Sequence, residues 1–154
     1  MKRNASWTLL ALLLVGTFAL AFYIMPAKAQ AKTVYINSDG SVVPSSAPIS
    51  SLDNITYTLT GNVTDSIVVE RSNIIVNGAG YTVEGDGTGN GLSLQNTVNV
   101  TITNTRIGGC IDGIQLFNSA NCSITGNYMV TNSYEGVGLY YSSDNIVTEN
   151  SITD

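Results

Sequence analysis

Gly91-Leu92-Ser93-Leu94, Gly113-Ile114-Gln115-Leu116 and Gly136-Val137-Gly138-Leu139 recur at offsets of 22 and then 23 residues. A chain that echoes itself at this period is built of units that cannot bury an apolar side alone and must stack on copies of themselves. The echo runs beyond the glycines. Thr97, Ser119 and Ser142 follow at the same offsets, as do Asn99, Asn121 and Asp144, and the pairs Ile102/Ile107, Ile124/Met129 and Val147/Ile152 keep register. A step of 26 residues backwards reaches Val76 and Tyr81, the extra length being the insertion Gly85-Asp86-Gly87-Thr88-Gly89-Asn90.

Within each unit the apolar residues alternate in short runs, Leu92/Leu94, then Val100/Ile102, then Ile107, broken by Asn, Gly and Ser. Nothing repeats at helical period, so a leucine-rich repeat with its helical half is excluded. β-Branched residues at alternate positions suit strands, and Asn and Gly suit the bends between them because both tolerate left-handed backbone. The fold expected is all-β, a parallel β-helix of about four coils with 22–26 residues per coil. Leu94, Leu116 and Leu139 then form one internal stack and Ile102, Ile124 and Val147 another. The columns Thr97/Ser119/Ser142 and Asn99/Asn121/Asp144 fall at corners, where side chains satisfy backbone groups that a bend leaves unpaired.

Lys2 and Arg3 precede an apolar stretch, residues 7–25, followed by Pro26 and small residues at 27, 29 and 31, which reads as a secretory signal peptide cleaved after Ala29 or Ala31, or as an N-terminal membrane anchor. Residues 32–60, with Pro44, Pro48 and many serines, do not match the repeat and are expected to form an N-terminal cap over the first coil of a solenoid spanning 61–154. At the other end Ile152 falls in mid-coil, so the chain is part of a longer protein or something covers that end.

Loss of 1–31 leaves Lys32, Arg71 and Arg106 against 11 acidic residues, a net charge of −8. An acidic surface disfavours nucleic acid as a partner, and anionic polysaccharides too unless a divalent cation bridges them. Export past a membrane also gives meaning to the sequons at Asn54, Asn62, Asn99 and Asn121 as N-glycosylation candidates. Cys110 and Cys122 lie about half a coil apart, do not stack, and are expected to be two buried thiols.

The absence of histidine removes Ser-His-Asp and Cys-His catalysis and every histidine metal site. The Gly-rich insertion 85–90 lacks the Lys and the helix of a phosphate loop and the ligand spacing of an EF-hand, so it reads as a flexible connection between coils. One polar column is more informative. Asn90, Asp112 and Glu135 each precede a repeat glycine and stack on successive coils, where two carboxylates within about 5 Å can ligate Ca²⁺ or form an acid and nucleophile pair on a sugar. The plainer reading of Asp112 and Glu135 is a solvated loop edge whose charges point apart. Beside them Phe117 and Tyr140 occupy equivalent positions, with Tyr141 and Tyr134 adjacent, and aromatic faces on a flat wall suit sugar rings unless they pack inward at the corner.

The segments Tyr57-Thr-Leu-Thr-Gly-Asn62, Asp65-Ser-Ile-Val-Val-Glu-Arg-Ser-Asn73 and Asn77-Gly-Ala-Gly-Tyr81, with Asn-x-x-Ile-x-x-Asn-x-Met at 121–129, resemble the right-handed parallel β-helix repeat proteins over roughly residues 33–154. These include the NosD-like group and the carbohydrate-binding and sugar-hydrolase domains of the pectin-lyase-like superfamily. The NosD-like resemblance implies a role in maturing a copper enzyme, yet a chain without histidine and with few sulfur ligands offers copper little. Polygalacturonase-like relatives imply paired aspartates with a histidine, which this chain lacks. Lyase-like relatives imply calcium-binding acids with a basic Arg or Lys, for which Arg71 and Arg106 are the candidates. The function expected is an exported, non-catalytic module at a cell surface or in a periplasmic-type space, without a cofactor, whose wall contacts polysaccharide or cell-envelope proteins. A polysaccharide lyase or glycoside hydrolase, and a NosD-like accessory to copper-enzyme maturation, stand as alternatives, because this scaffold carries many chemistries.

Overall fold

The structure, a computed structural model, describes residues 33–153. The expected signal peptide or anchor, 1–31, lies outside the described residues. Among the described residues every regular element is a strand, and no helix is long and apolar enough to cross a membrane.

The strands fall into three sheets that are visited in turn. The first sheet carries β1 (Val34–Ile36), β6 (Ile67–Val69), β9 (Leu92–Gln95), β12 (Asp112–Phe117) and β15 (Glu135–Tyr140) in parallel order. The second carries β4 (Thr56–Leu59), β7 (Ile74–Asn77), β10 (Val100–Thr103), β13 (Ser123–Thr125) and β16 (Ile146–Thr148), and the third β5 (Val63–Thr64), β8 (Thr82–Glu84), β11 (Arg106–Gly108), β14 (Tyr128–Val130) and β17 (Ser151–Thr153). From β1 round to β15 the chain makes about four turns of a parallel β-helix. The repeat register holds for the expected columns, Leu94 facing Leu116 and Leu116 facing Leu139, while Ile102, Ile124 and Val147 align in the second sheet. One coil earlier Val76 faces Ile102 as expected, but Val83 and not Tyr81 faces Ile107, because two of the extra residues lie in the turn 78–81 and not in the insertion 85–90.

Of the expected N-terminal cap, 32–60, the described residues 33–60 are partly solenoid. β1 and β4 stack on β6 and β7 as the first rung, and between them β2 (Val42–Val43) and β3 (Ile49–Ser50) turn back to pair antiparallel with β1 and β4. These two short strands cover the edges of the first and second sheets at the N-terminal end.

The interior is a narrow apolar column in which Ile36, Leu94, Leu116, Ile102, Ile124, Ile107 and Met129 are fully buried. The repeat glycines have a steric cause. A Cβ on Gly91 would lie 2.6 Å from the Gly113 carbonyl oxygen, and one on Gly113 would lie 2.7 Å from that of Gly136. Successive coils therefore touch backbone to backbone at the start of the first-sheet strands.

Left-handed backbone marks the bends as expected. Asn73, Asn99, Asn121 and Asp144 have φ of 60°, 57°, 54° and 57°, and a second column, Asn96, Asn118 and Tyr141, has 53°, 50° and 50°. Asn99 Nδ2 donates to Asn73 Oδ1 (3.0 Å) and Asn118 Nδ2 to Asn96 Oδ1 (2.7 Å), so the columns are hydrogen-bonded ladders. In the same bends, and at the corner that follows, another polar residue points inward and does two things at once. Ser119 Oγ donates to the Phe117 carbonyl two residues back and accepts the Thr97 N–H of the preceding coil; Asn127 likewise donates to Thr125 O and accepts the Thr105 N–H. A corner thereby buries its polar backbone without leaving it unpaired.

Candidate functional site

Alternation along β12 sends Ile114 and Leu116 inward and Gln115 and Phe117 outward. In register with the neighbouring rungs, the outer face of the first sheet presents the columns Ser93/Gln115/Gly138 and Gln95/Phe117/Tyr140. Phe117 is 45% exposed. It meets the ring of Tyr141, 87% exposed, edge to face with centroids 5.7 Å apart and planes at 80°. Tyr134, in the turn before β15, is also strongly exposed. All four aromatic candidates therefore lie on the outside, Tyr140 half-buried, and none packs inward.

Tyr140 donates its hydroxyl to Glu135 Oε2 at 3.2 Å. The two side chains meet across Gly138, where a Cβ would lie 2.6 Å from Glu135 Oε2 and 2.8 Å from the Tyr140 ring. Desolvation, then the negative charges of Asp112 and Glu135, push the Tyr140 phenol above its ordinary range, so it stays a hydrogen-bond donor at neutral pH.

Asp112 pairs with Glu135 in the strand register. It is only 2% exposed; Oδ2 accepts from Gln115 Nε2 at 3.1 Å, while Oδ1 is buried with no hydrogen-bond partner among the described residues. The solvated loop edge expected from sequence is thus corrected for Asp112. The strand begins at Asp112 itself, and Gln115 three residues on holds the carboxylate down against the sheet. Asn90, the third member of the column, accepts the Asp112 N–H through Oδ1 at 3.4 Å, and its carbonyl accepts from Ser66 Oγ. The insertion 85–90 is tied to the next coil as well, Gly87 N–H to Gly109 O and Ile111 N–H to Gly89 O, both at 2.7 Å.

The remaining candidates are dispersed. Asn54, Asn62, Asn99 and Asn121 are all exposed, but Asn62 Oδ1 accepts the Thr82 N–H and Asn99 belongs to the asparagine ladder. Arg71 donates to Ser38 O at 2.9 Å and tethers the loop before β2. Arg106 opens β11 in the third sheet and lies over the Tyr128 ring, 4.5 Å from its centroid. Neither arginine shares a strand with Asp112 and Glu135. Sequence reasoning passed over Gln115 and the Arg106–Tyr128 stack. The signal for the stack is the repeat itself, since the two residues are 22 apart and hence adjacent rungs of one column.

Cys110 and Cys122 are buried free thiols at two different corners, donating through Sγ to Gly108 O and Ala120 O. Burial pushes the Cys110 thiol above its usual range. Among the described residues no three His, Cys, Asp or Glu side chains come together. Asp112 and Glu135 supply two carboxylates towards the roughly six to eight oxygens that Ca²⁺ takes.

Comparison with curated proteins and with solved structures gives no match. A family model, described as periplasmic copper-binding protein (NosD), matches residues 21–154. With the repeat register, the three parallel sheets and this match over most of its length, the chain belongs to the NosD family of β-helix proteins.

Proposed function

We propose that the chain is an exported, non-catalytic β-helix module that holds a glycan along the outer face of its first sheet. The segment 1–31 acts as the signal peptide or anchor that delivers it to a periplasmic or cell-surface location, in keeping with the periplasmic description of its family. Tyr141 is the observation that carries the reading. Its backbone is left-handed (φ 50°), at a position where the two preceding coils use Asn96 and Asn118, so the bend accommodates a strained bulky residue whose ring stands free beside Phe117. Strain of this kind is retained where a side chain is wanted for itself. The rings offer apolar faces to a pyranose. Glu135, partly exposed beside them, offers acceptors for its hydroxyls.

Copper, named in the family description, does not fit the residues present. There is no histidine, both thiols are buried in corner hydrogen bonds, and Met129 is fully buried in the core.

The register pair Asp112/Glu135 favours a second reading, a glycoside hydrolase or polysaccharide lyase of the same wall, because two acidic residues stand opposite each other on adjacent rungs, their backbones about 4.8 Å apart. One experiment separates the two. Glycans captured on an array are incubated with the protein, and both retention and new reducing ends are measured. The binding reading expects retention that falls about tenfold or more in Phe117→Ala and in Glu135→Gln, with no new ends. Release of ends that Asp112→Asn abolishes establishes the enzyme instead, and failure to retain any glycan sinks both.

A further inference from the structure

A second surface, on the third sheet and away from the aromatic wall, has the makings of a binding site. The outward column Thr82/Arg106/Tyr128 runs beside a groove whose floor and rim include Asn77, Gly80, Asn104 and Gly126. The groove arises because the turn from β7 to β8 is two residues longer than its equivalent in the next coil. Residues 78–81 occupy the place that Asn104 and Thr105 fill one coil later, which raises Ala79 and Gly80 as a wall. Both glycines leave it open. A Cβ on Gly80 would meet nothing within 4 Å, and one on Gly126 would come no nearer than 3.7 Å to Thr103 Oγ1 and 3.9 Å to Asn104 Oδ1.

Arg106 is exposed, and Tyr128 fixes its guanidinium plane. Among the described residues none accepts a hydrogen bond from that guanidinium and no carboxylate is paired with it. In a sequence with 11 acidic residues, a stacked and unpaired arginine beside an open groove is the exception to the electrostatic pattern. Its fork of N–H donors matches a planar or tetrahedral oxyanion, and the stack holds that fork ready without loss of side-chain freedom on binding. The carboxamides of Asn77 and Asn104 supply hydroxyl partners, and the Tyr128 ring supplies an apolar face.

We propose that this groove binds a sugar ring carrying an oxyanion, a carboxylate or a sulfate, with Arg106 on the anion and Tyr128, Asn77 and Asn104 on the ring. The net negative charge, which disfavours long anionic polymers in general, acts at a distance and is screened at physiological salt. The single local cation then selects where an acidic residue of a mixed glycan is accepted.

The test is titration calorimetry of the full chain, kept in mild detergent, with a hexuronate trimer, a sulfated trisaccharide, a neutral trisaccharide and an acidic peptide. Binding of the uronate or the sulfated probe, whichever source supplies the anion, with at least tenfold preference over the neutral probe and weakening in 0.5 M salt, is the expected result. Arg106→Gln and Arg106→Lys each lose about tenfold or more, the latter because an ammonium lacks the fork. Gly126→Asn closes the groove without disturbing the bend, since Asn104 holds the same left-handed backbone one coil earlier (φ 52° against 67°), and it abolishes binding while the thermal melt stays unchanged. Phe117→Ala, on the first sheet, leaves anion binding intact. Equal affinity for neutral and anionic sugars, no loss in Arg106→Gln, tighter binding of the acidic peptide, or no binding of either anionic probe each overturns the proposal. Loss in Phe117→Ala moves the anion to the aromatic wall and overturns it too.

Discussion

At the scale of the residue, this fold is governed by what a side chain does at a bend. Inward corner residues answer two backbone groups each, the carbonyl two residues back and the N–H of the coil before. Ser119, Asn127, Ser142 and Asn150 obey this rule with a hydroxyl or a carboxamide. Asn127 also donates to Ile102 O, so its one side chain satisfies three backbone groups. Outward corner residues instead hold left-handed backbone, which Asn and Asp tolerate and a bulky side chain does not. Tyr141 departs from that rule, as do Thr131 (φ 51°) and Glu149 (φ 56°), and at Tyr141 the departure has a measurable consequence. Replacing it by Asn restores the residue of the two preceding coils and removes the strain of left-handed backbone, about 1–2 kcal/mol for a residue that does not favour it. Tyr141→Asn is therefore expected to stabilise the protein by about 1 kcal/mol in urea unfolding while weakening glycan retention on the aromatic wall, a trade of stability against function. If Tyr141→Asn is less stable than the parent, the strain assigned to Tyr141 is absent and the reading built on it loses its support.

At the scale of the element, strands and corners were legible in the sequence because each is written several times over. The strand columns, the left-handed asparagines and the inward Thr97/Ser119/Ser142 corner all follow from one offset. What occurs once was not legible. β2 and β3 are two-residue strands without a repeat partner, and their antiparallel return is a tertiary choice made by the edges they cover. The burial of Asp112 depends on where one strand starts and on the contact of Gln115 with its carboxylate, neither of which the repeat writes more than once. The candidate site was half visible for the same reason: the pairing of Asp112 with Glu135 and the aromatic column are repeat features, whereas the contact of Gln115 with Asp112 and of Tyr140 with Glu135 runs within single strands. The thiols show how an element sets reactivity. Cys110 sits in the corner between β11 and β12 with its Sγ turned to Gly108 O, is 1% exposed, and has its pKa raised by burial. The thiolate is the reactive form, so a buried thiol of raised pKa reacts slowly. Native protein at pH 8 is expected to leave Cys110 unlabelled by a disulfide reagent over hours, with full labelling in denaturant; labelling of the native protein at the rate of a free thiol contradicts the corner geometry.

At the scale of the whole molecule, a solenoid has no single centre, and each coil is stabilised by its two neighbours. The N-terminal rung has β2 and β3 over two of its three sheets, whereas β15, β16 and β17 are the outermost strands at the other end. Burial follows that asymmetry. Leu94 and Leu116 are fully buried, but Leu139, next in the same column, is 47% exposed, and Val147 and Ile152 are 41% and 52% exposed. The same residue type in the same column should therefore contribute according to its coil. Leu116→Ala removes a fully enclosed side chain and leaves a cavity between two rungs, a loss of about 3 kcal/mol or more. Leu139→Ala removes a side chain already half in water and leaves no enclosed cavity, so about 1 kcal/mol is expected. Chemical denaturation of the two variants measures the difference, and native-state hydrogen exchange follows it along the chain, with amides of β9 to β14 best protected and those of β15 to β17 opening first. Equal losses for the two variants mean that the last coil is covered in solution by another strand layer, and exchange protection of β15 to β17 equal to that of β12 to β14 identifies the same cover independently.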